Sequence, residues 1–151
     1  MAYATVADGT VDGFGPIDSL VIEFPNGAIG ADGFNQLLDL VNNKRIRVLD
    51  LEFVKKQSDD TSVILPAHDL GTVDGLDLAI FDGASAGLYG AEDLAELNPL
   101  IAVGSVAAVI IYEELSLLPV IASWEKNGAK VVGDGSLTID DLVIALDAVG
   151  A

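Results

Sequence analysis

The chain reads as an α+β domain, on three patterns among its 151 residues. Alternating apolar residues mark a strand at Ile17–Phe24, and a 3.6-residue apolar period marks a helix from about Ala31 to Asn43. A strand at Arg47–Lys55 and a partner at Thr61–Leu65 then read as a hairpin. A second strand–helix–strand run spans Val106–Val132 and looks like a degenerate repeat of Ile17–Phe53. Two such units in one sheet predict a ferredoxin-like split βαβ sandwich with a helical middle insertion and a C-terminal helix. Right-handed crossovers would put both helices on the same face.

Each element has a local reason. Residues 1–14 carry Asp8-Gly9 and Asp12-Gly13 turn signals around short apolar pieces. They read as a frayed arm or as one that adds a strand to a neighbouring subunit, through Tyr3, Val6 and Val11. The remaining residues, 15–151, read as a single domain. Leu20, Ile22 and Phe24 form the apolar face of the first strand, which Pro25-Asn26-Gly27 ends. Phe34, Leu37, Leu38 and Val41 form the buried stripe of the first helix, with Asp32 near its start and Lys44 and Arg45 at its end to suit the helix dipole. Leu49, Leu51 and Phe53 line the next strand, and Gln57–Asp60 makes the turn.

From Pro66 to Pro99 the pattern changes. Leu70, Val73, Leu76 and Ile80 have helical spacing, which Gly71 and Gly75 weaken. Residues 83–90, GASAGLYG, form a flexible joint, and Ala91–Leu97 is a short helix that Asn98-Pro99 stops. Ser105–Tyr112 is apolar on both faces and predicts a central strand. A helix from about Ser116 to Asn127 follows, with Pro119 in its first turn, and then a short strand at Lys130–Val132. Thr138-x-x-Asp141 opens a last helix lined by Leu142, Val143, Leu146 and Val149.

Composition narrows the function. A net charge of −17 repels nucleic acid and anionic lipid, so neither is an expected partner. Mean hydropathy is high at +0.49, yet no uninterrupted apolar run reaches the roughly 18–20 residues of a membrane span. The N-terminus lacks the basic start and apolar core of a signal peptide, which points to the cytoplasm. With no cysteine to report on redox compartment, an extracellular setting stays open.

Residues 83–87, GASAG, match the nucleophile-elbow pattern, but His68 precedes Ser85 where a hydrolase places its histidine last, so a loop is the better reading. His68 and Glu113 are weak pocket candidates, His68 as a base held by a carboxylate. Asp134–Asp141 resembles the tail of a calcium loop, but Lys130 and Val132 would fall at ligand positions. Glu23, Asp50, Glu52, Glu113 and Glu114 could gather near strand ends as a carboxylate cluster, but solvated strand-end charges are the better reading. No cofactor or metal is called for. Charge is segregated: Lys44, Arg45, Arg47, Lys55 and Lys56 form a basic zone, while Asp74, Asp77, Asp82, Glu92, Asp93 and Glu96 crowd the middle segment. Contact between the two zones would be head-to-tail between subunits, or within one chain across the hairpin.

The stretches GPIDSLVIEFP, RIRVLDLEFVKK, AEDLAEL and SVAAVIIYEE resemble a bacterial family of unknown function. Its members begin G-P-[IV]-D-x-x-V-x-E-F-P and continue I-R-V-L-D-L-x-F-V-x-K. The resemblance runs from about Gly15 to Val149 and implies a fold and no reaction. Members usually carry tryptophan before, and asparagine after, the glutamate that matches Glu113; this chain has Tyr112 and Glu114 there. The apolar excess, the lack of a catalytic grouping and the strand-like arm together predict a non-enzymatic, self-associating structural protein building a homo-oligomer or filament. A small-molecule-binding or catalytic ferredoxin-like domain is the alternative, and a regulatory adaptor the third reading.

Overall fold

The computed structural model describes residues 6–7, 10–11, 15–133 and 139–150. It is a mixed α+β structure in two compact units, Met1–Leu117 and Leu118–Ala151.

In the first unit, β1 (Val6–Ala7) and β2 (Thr10–Val11) pair antiparallel, with Val6 opposite Val11. The main sheet is built from β3 (Ile17–Phe24), β4 (Ile46–Ser58), β5 (Thr61–Leu65) and β8 (Val106–Glu114), and α1 (Ala31–Asn42) links β3 to β4. The order across the sheet is β3-β8-β4-β5, antiparallel throughout. Thus β3 and β4 run in the same direction with β8 seated between them. Val106–Ile110 are buried, as an apolar stretch without a polar face requires.

One face of the sheet packs under α1. Phe34 projects from that helix and its ring centroid lies 6.0 Å from Phe24, 5.7 Å from Phe53 and 5.4 Å from Phe81. Leu51, Leu78, Val106, Ala108 and Ile110 complete this core. The other face carries Val54, Ala107 and Val109, and Leu97 and Ile101 cover it. Leu97 closes α2 (Ala91–Leu97), so α1 and α2 lie on opposite faces. The helix that the sequence pairs with α1, from about Ser116 to Asn127, belongs to the second unit.

The middle segment also departs from its helical spacing. It forms a 3-10 turn (Ala67–Leu70), a ribbon of β6 (Thr72–Val73) and β7 (Leu76–Asp77), and a longer 3-10 helix (Leu78–Ala84). Gly71, Asp74 and Gly75 have φ of +70°, +48° and +84°, which no right-handed helix admits. The hairpin turn is Asp59-Asp60, with an irregularity between Lys56 and Ser58.

The second unit holds α3 (Leu118–Glu125) and α4 (Ile139–Ala148). Pro119 sits in the first turn of α3, where its missing N–H costs no hydrogen bond. Lys130–Val132 is not a strand: between Gly128 and Gly133 it finds no partner edge, and Val132 is exposed. The predicted repeat therefore lacks its closing strand. Thr138 and residues 134–138 of the calcium-like stretch lie outside the described residues.

Candidate functional site: the free edge strand

Among the described residues, strand β3 bonds to β8 on one side and to no strand on the other, so that edge is open there. Which backbone groups point that way follows from one hydrogen bond. Glu114 N–H donates to the Pro16 carbonyl at 2.8 Å, which makes Pro16 and Glu114 a directly bonded pair in the β3–β8 register. Antiparallel alternation then turns the N–H and C=O of residues 18, 20, 22 and 24 toward β8. Those of Ile17, Ser19, Val21 and Glu23 face outward. Ser19 N–H accordingly bonds no strand and donates to its neighbour Asp18 Oδ1 at 2.9 Å.

The side chains on this edge are apolar and half exposed: Ile17 52%, Leu20 48%, Val21 43% and Ile22 39%. Leu20, Ile22 and Phe24 face α1, and with Ala31, Phe34, Leu37 and Leu40 they line a groove of about 560 Å³. Opposite Ile22 on β8 stands Ala108, whose small side chain leaves the groove its depth. The strand lies where its alternation predicts, and its apolar face is half exposed. Its exposure depends on strand order, because β8 rather than β3 takes the central seat.

The remaining candidates disperse. Tyr3 lies outside the described residues, and the backbones of Val6 and Val11 pair with each other. The basic residues stand at the two ends of β4. Lys44, Arg45 and Arg47 are at its start, and Lys55 and Lys56 lie about 26 Å further along it. Arg47 Nη1 reaches Glu113 Oε1 at 3.1 Å, an ion pair without hydrogen-bond geometry, while Glu113 Oε2 accepts from Gly15 N–H at 2.7 Å. Lys56 is buried and donates to the carbonyls of Asn98 (2.7 Å) and Ile101 (3.0 Å).

The acidic residues of the middle segment serve turns and caps. Asp74 sits in the β6–β7 turn, and Asp77 accepts from Ala79 N–H at 3.0 Å. Glu92 and Asp93 lie in the first turn of α2, where Asp93 Oδ2 accepts from Gly90 N–H at 2.8 Å. Asp82 holds His68, its Oδ2 standing 3.1 Å from Nδ1, and Asp69 Oδ1 stands 3.3 Å from Nε2. This histidine is exposed beside a hollow of about 330 Å³ that Leu51, Phe53, Phe81 and Ser85 also line.

Asp50, Glu52 and Glu113 are buried rather than solvated strand-end charges, and the first two belong to a polar cluster. Asp50 and Glu52 alternate on β4, on the face away from Leu51 and Phe53, and both are buried. Asp50 accepts from the N–H groups of Ala86 (2.8 Å) and Tyr89 (2.9 Å), and Ser85 donates its hydroxyl to Glu52 at 2.6 Å. Burial pushes the Glu52 carboxyl above its ordinary range, and neighbouring Asp50 adds to the rise against the opposing bond from Ser85. At the far end of the sheet, Glu23 Oε2 accepts from Ala102 N–H at 2.8 Å, which holds its carboxyl below the usual range. The GASAG serine is thus a fastener for a loop, with Glu52 as its partner and no imidazole bonded to it.

Among the described residues no helix is long and apolar enough to cross a membrane. No group of three or more His, Asp or Glu side chains there could hold a metal ion. Neither the curated proteins nor the solved structures contain a match to the chain. A family of unknown function, DUF6325, matches residues 13–144. The polar residues within the stretches that carry the likeness have the structural tasks just described: Glu23, Asp50, Lys56 and Glu113 each hold backbone groups of a distant segment. With nearly its whole length matched, the chain belongs to this family of unknown function, DUF6325.

Proposed function

We propose that this chain is a non-enzymatic, self-associating protein whose copies cover one another at the open edge of β3. The observation that carries the reading is the edge itself, where Ile17, Leu20, Val21 and Ile22 are exposed beside unpaired backbone groups. Such an edge is a template for another strand, and soluble proteins usually blunt it with lysine, proline or a bulge. Within β3 only Asp18, Ser19 and Glu23 interrupt the apolar run. The test is mass by light scattering over a range of concentrations. Wild-type protein is expected to exceed the monomer mass and Val21→Lys to return to it; a wild-type monomer at millimolar concentration would end the reading.

We read the first unit as a variant of the ferredoxin-like sandwich. The β3-α1-β4 crossover around β8 supports that name, while the 3-10 turns and the opposite placement of α2 depart from it.

The groove favours one second reading, an apolar small-molecule site between β3 and α1. Native mass spectrometry of purified protein tests it, since a retained apolar guest would displace the first reading from this surface.

A further inference from the structure

We infer that two copies pair β3 with β3, antiparallel, about a twofold axis at Leu20, which joins their sheets into one and closes the assembly as a dimer. This rests on the self-association reading and fixes its geometry.

Parity of the outward backbone groups fixes the alignment. The outward backbone groups belong to residues 17, 19, 21 and 23, set by the Glu114 to Pro16 bond and marked independently by Ser19 N–H, which has only a side chain to bond. Across a new antiparallel edge, outward groups must meet outward groups. A symmetric pairing therefore sets odd residue against odd residue, and every alignment with Leu20 opposite Val21 is excluded. Three symmetric alignments remain near the strand's centre, with the axis at Ser19, Leu20 or Val21.

Centring on Leu20 pairs Ile17 with Glu23 and Ser19 with Val21, in both directions, so every outward group of β3 is used. Centring on Val21 sets Ile17 against Pro25, which has no N–H to give. Centring on Ser19 uses Gly15, whose N–H is already committed to Glu113, and leaves Phe24 beyond the partner strand. It also brings the two Asp18 carboxylates within about 7–8 Å diagonally, a like-charge contact. At the Leu20 axis Asp18 faces Ile22 and Glu23 faces Ile17, so no carboxylate opposes another. The same axis lays the grooves of the two copies end to end on one face of the joined sheet, because Leu20 and Ile22 both line them.

A head-to-tail alternative would use the far edge, β5. That strand has five residues, and its Ser62 hydroxyl already bonds the Asn98 side chain, which in turn donates to the Asp59 carbonyl at 2.7 Å. The long free edge is therefore best matched by itself, and an isologous contact of this kind is closed rather than fibre-forming.

The chain has no cysteine, so single-cysteine variants report the alignment directly. At the Leu20 axis the two Leu20 residues form a non-bonded pair with Cα atoms about 4.5 Å apart, within the roughly 4.4–6.8 Å that a disulfide spans. Leu20→Cys is expected to oxidise to a covalent dimer on a non-reducing gel. Ser19→Cys and Val21→Cys alone are not, being offset by about 7 Å along the strand, whereas mixing those two variants is expected to link them. Circular dichroism confirms that each variant folds. Self-linking by Ser19→Cys or Val21→Cys, with none by Leu20→Cys, would overturn the alignment and leave self-association standing. No linking in any variant of a protein that is nevertheless dimeric would overturn the edge as the interface. No linking with a monomeric wild type would overturn both readings.

Discussion

Glu113 Oε2 accepts the backbone N–H of Gly15 at 2.7 Å, tying the residue where the sheet unit begins to the end of its last strand. Glu113 is fully buried, and its other oxygen faces the guanidinium of Arg47, which is half exposed. One carboxylate thus pins the entry to β3 and the start of β4 against β8. Removing it with Glu113→Ala orphans a buried donor and is expected to cost about 3 kcal/mol. Arg47→Met leaves a buried charge without its counter-charge and should cost a comparable amount, although most of the arginine is at the surface. Urea denaturation of both variants measures this.

Lys44 ends α1 in the left-handed region, at φ +57°, with its N–H bonded to Val41 and that of Arg45 bonded to Leu40. This terminating turn favours glycine, which has no Cβ to strain it. Lys44→Gly is therefore expected to stabilise the protein by up to about 1 kcal/mol, read as a rise in thermal midpoint. A fall would mean that the lysine makes a compensating contact.

The raised Glu52 carboxyl carries a pH signature. Folded protein holds this proton more tightly than unfolded protein, so its stabilising contribution is complete below the ordinary glutamate value of 4.5 and is lost as pH rises through the higher folded value. Stability should fall with rising pH across that window. Glu52→Gln cannot ionise and keeps an acceptor for Ser85, so its profile should be flatter there and the variant more stable than wild type at neutral pH. Denaturation curves at several pH values, variant against wild type, separate this from the general repulsion of an acidic chain.

Asp18 guards the open edge by occupying Ser19 N–H. Two strands can pair only after that carboxylate swings away. Asp18→Ala should therefore tighten self-association on the order of tenfold, measured by sedimentation equilibrium.

Salt distinguishes edge pairing from contact between opposite charges. Copies that each carry a net charge of −17 repel one another, and added salt screens that repulsion. Association through β3 should strengthen with ionic strength. Head-to-tail pairing of a basic with an acidic zone would weaken instead.

Local pattern carried most of the elements. The alternation at Ile17–Phe24, the helical stripe from Phe34 to Val41 and the two-faced apolar run of β8 each depend on neighbours in sequence, and each was legible. That run also marked β8 as a central strand, but nothing in Ile17–Phe24 records that it would take the edge beside it. The site suffered the same way: Leu20 and Ile22 look like core residues until β8 occupies the centre. Leu70, Val73, Leu76 and Ile80 misled for the opposite reason, since the left-handed turns at Gly71 and Gly75 override a favourable spacing. The Asp50–Glu52–Ser85 cluster joins residues more than thirty positions apart and left no local trace.

That the middle seat of the sheet belongs to its last strand has a consequence for biosynthesis. A chain still on the ribosome and not yet extended to Val106 holds β3 and β4 with a strand-wide gap between them, and neither can complete its ladder. The nascent protein must carry β3 unpaired and β4 paired only with β5 until β8 emerges, which makes that interval its period of greatest exposure to chaperones and to aggregation.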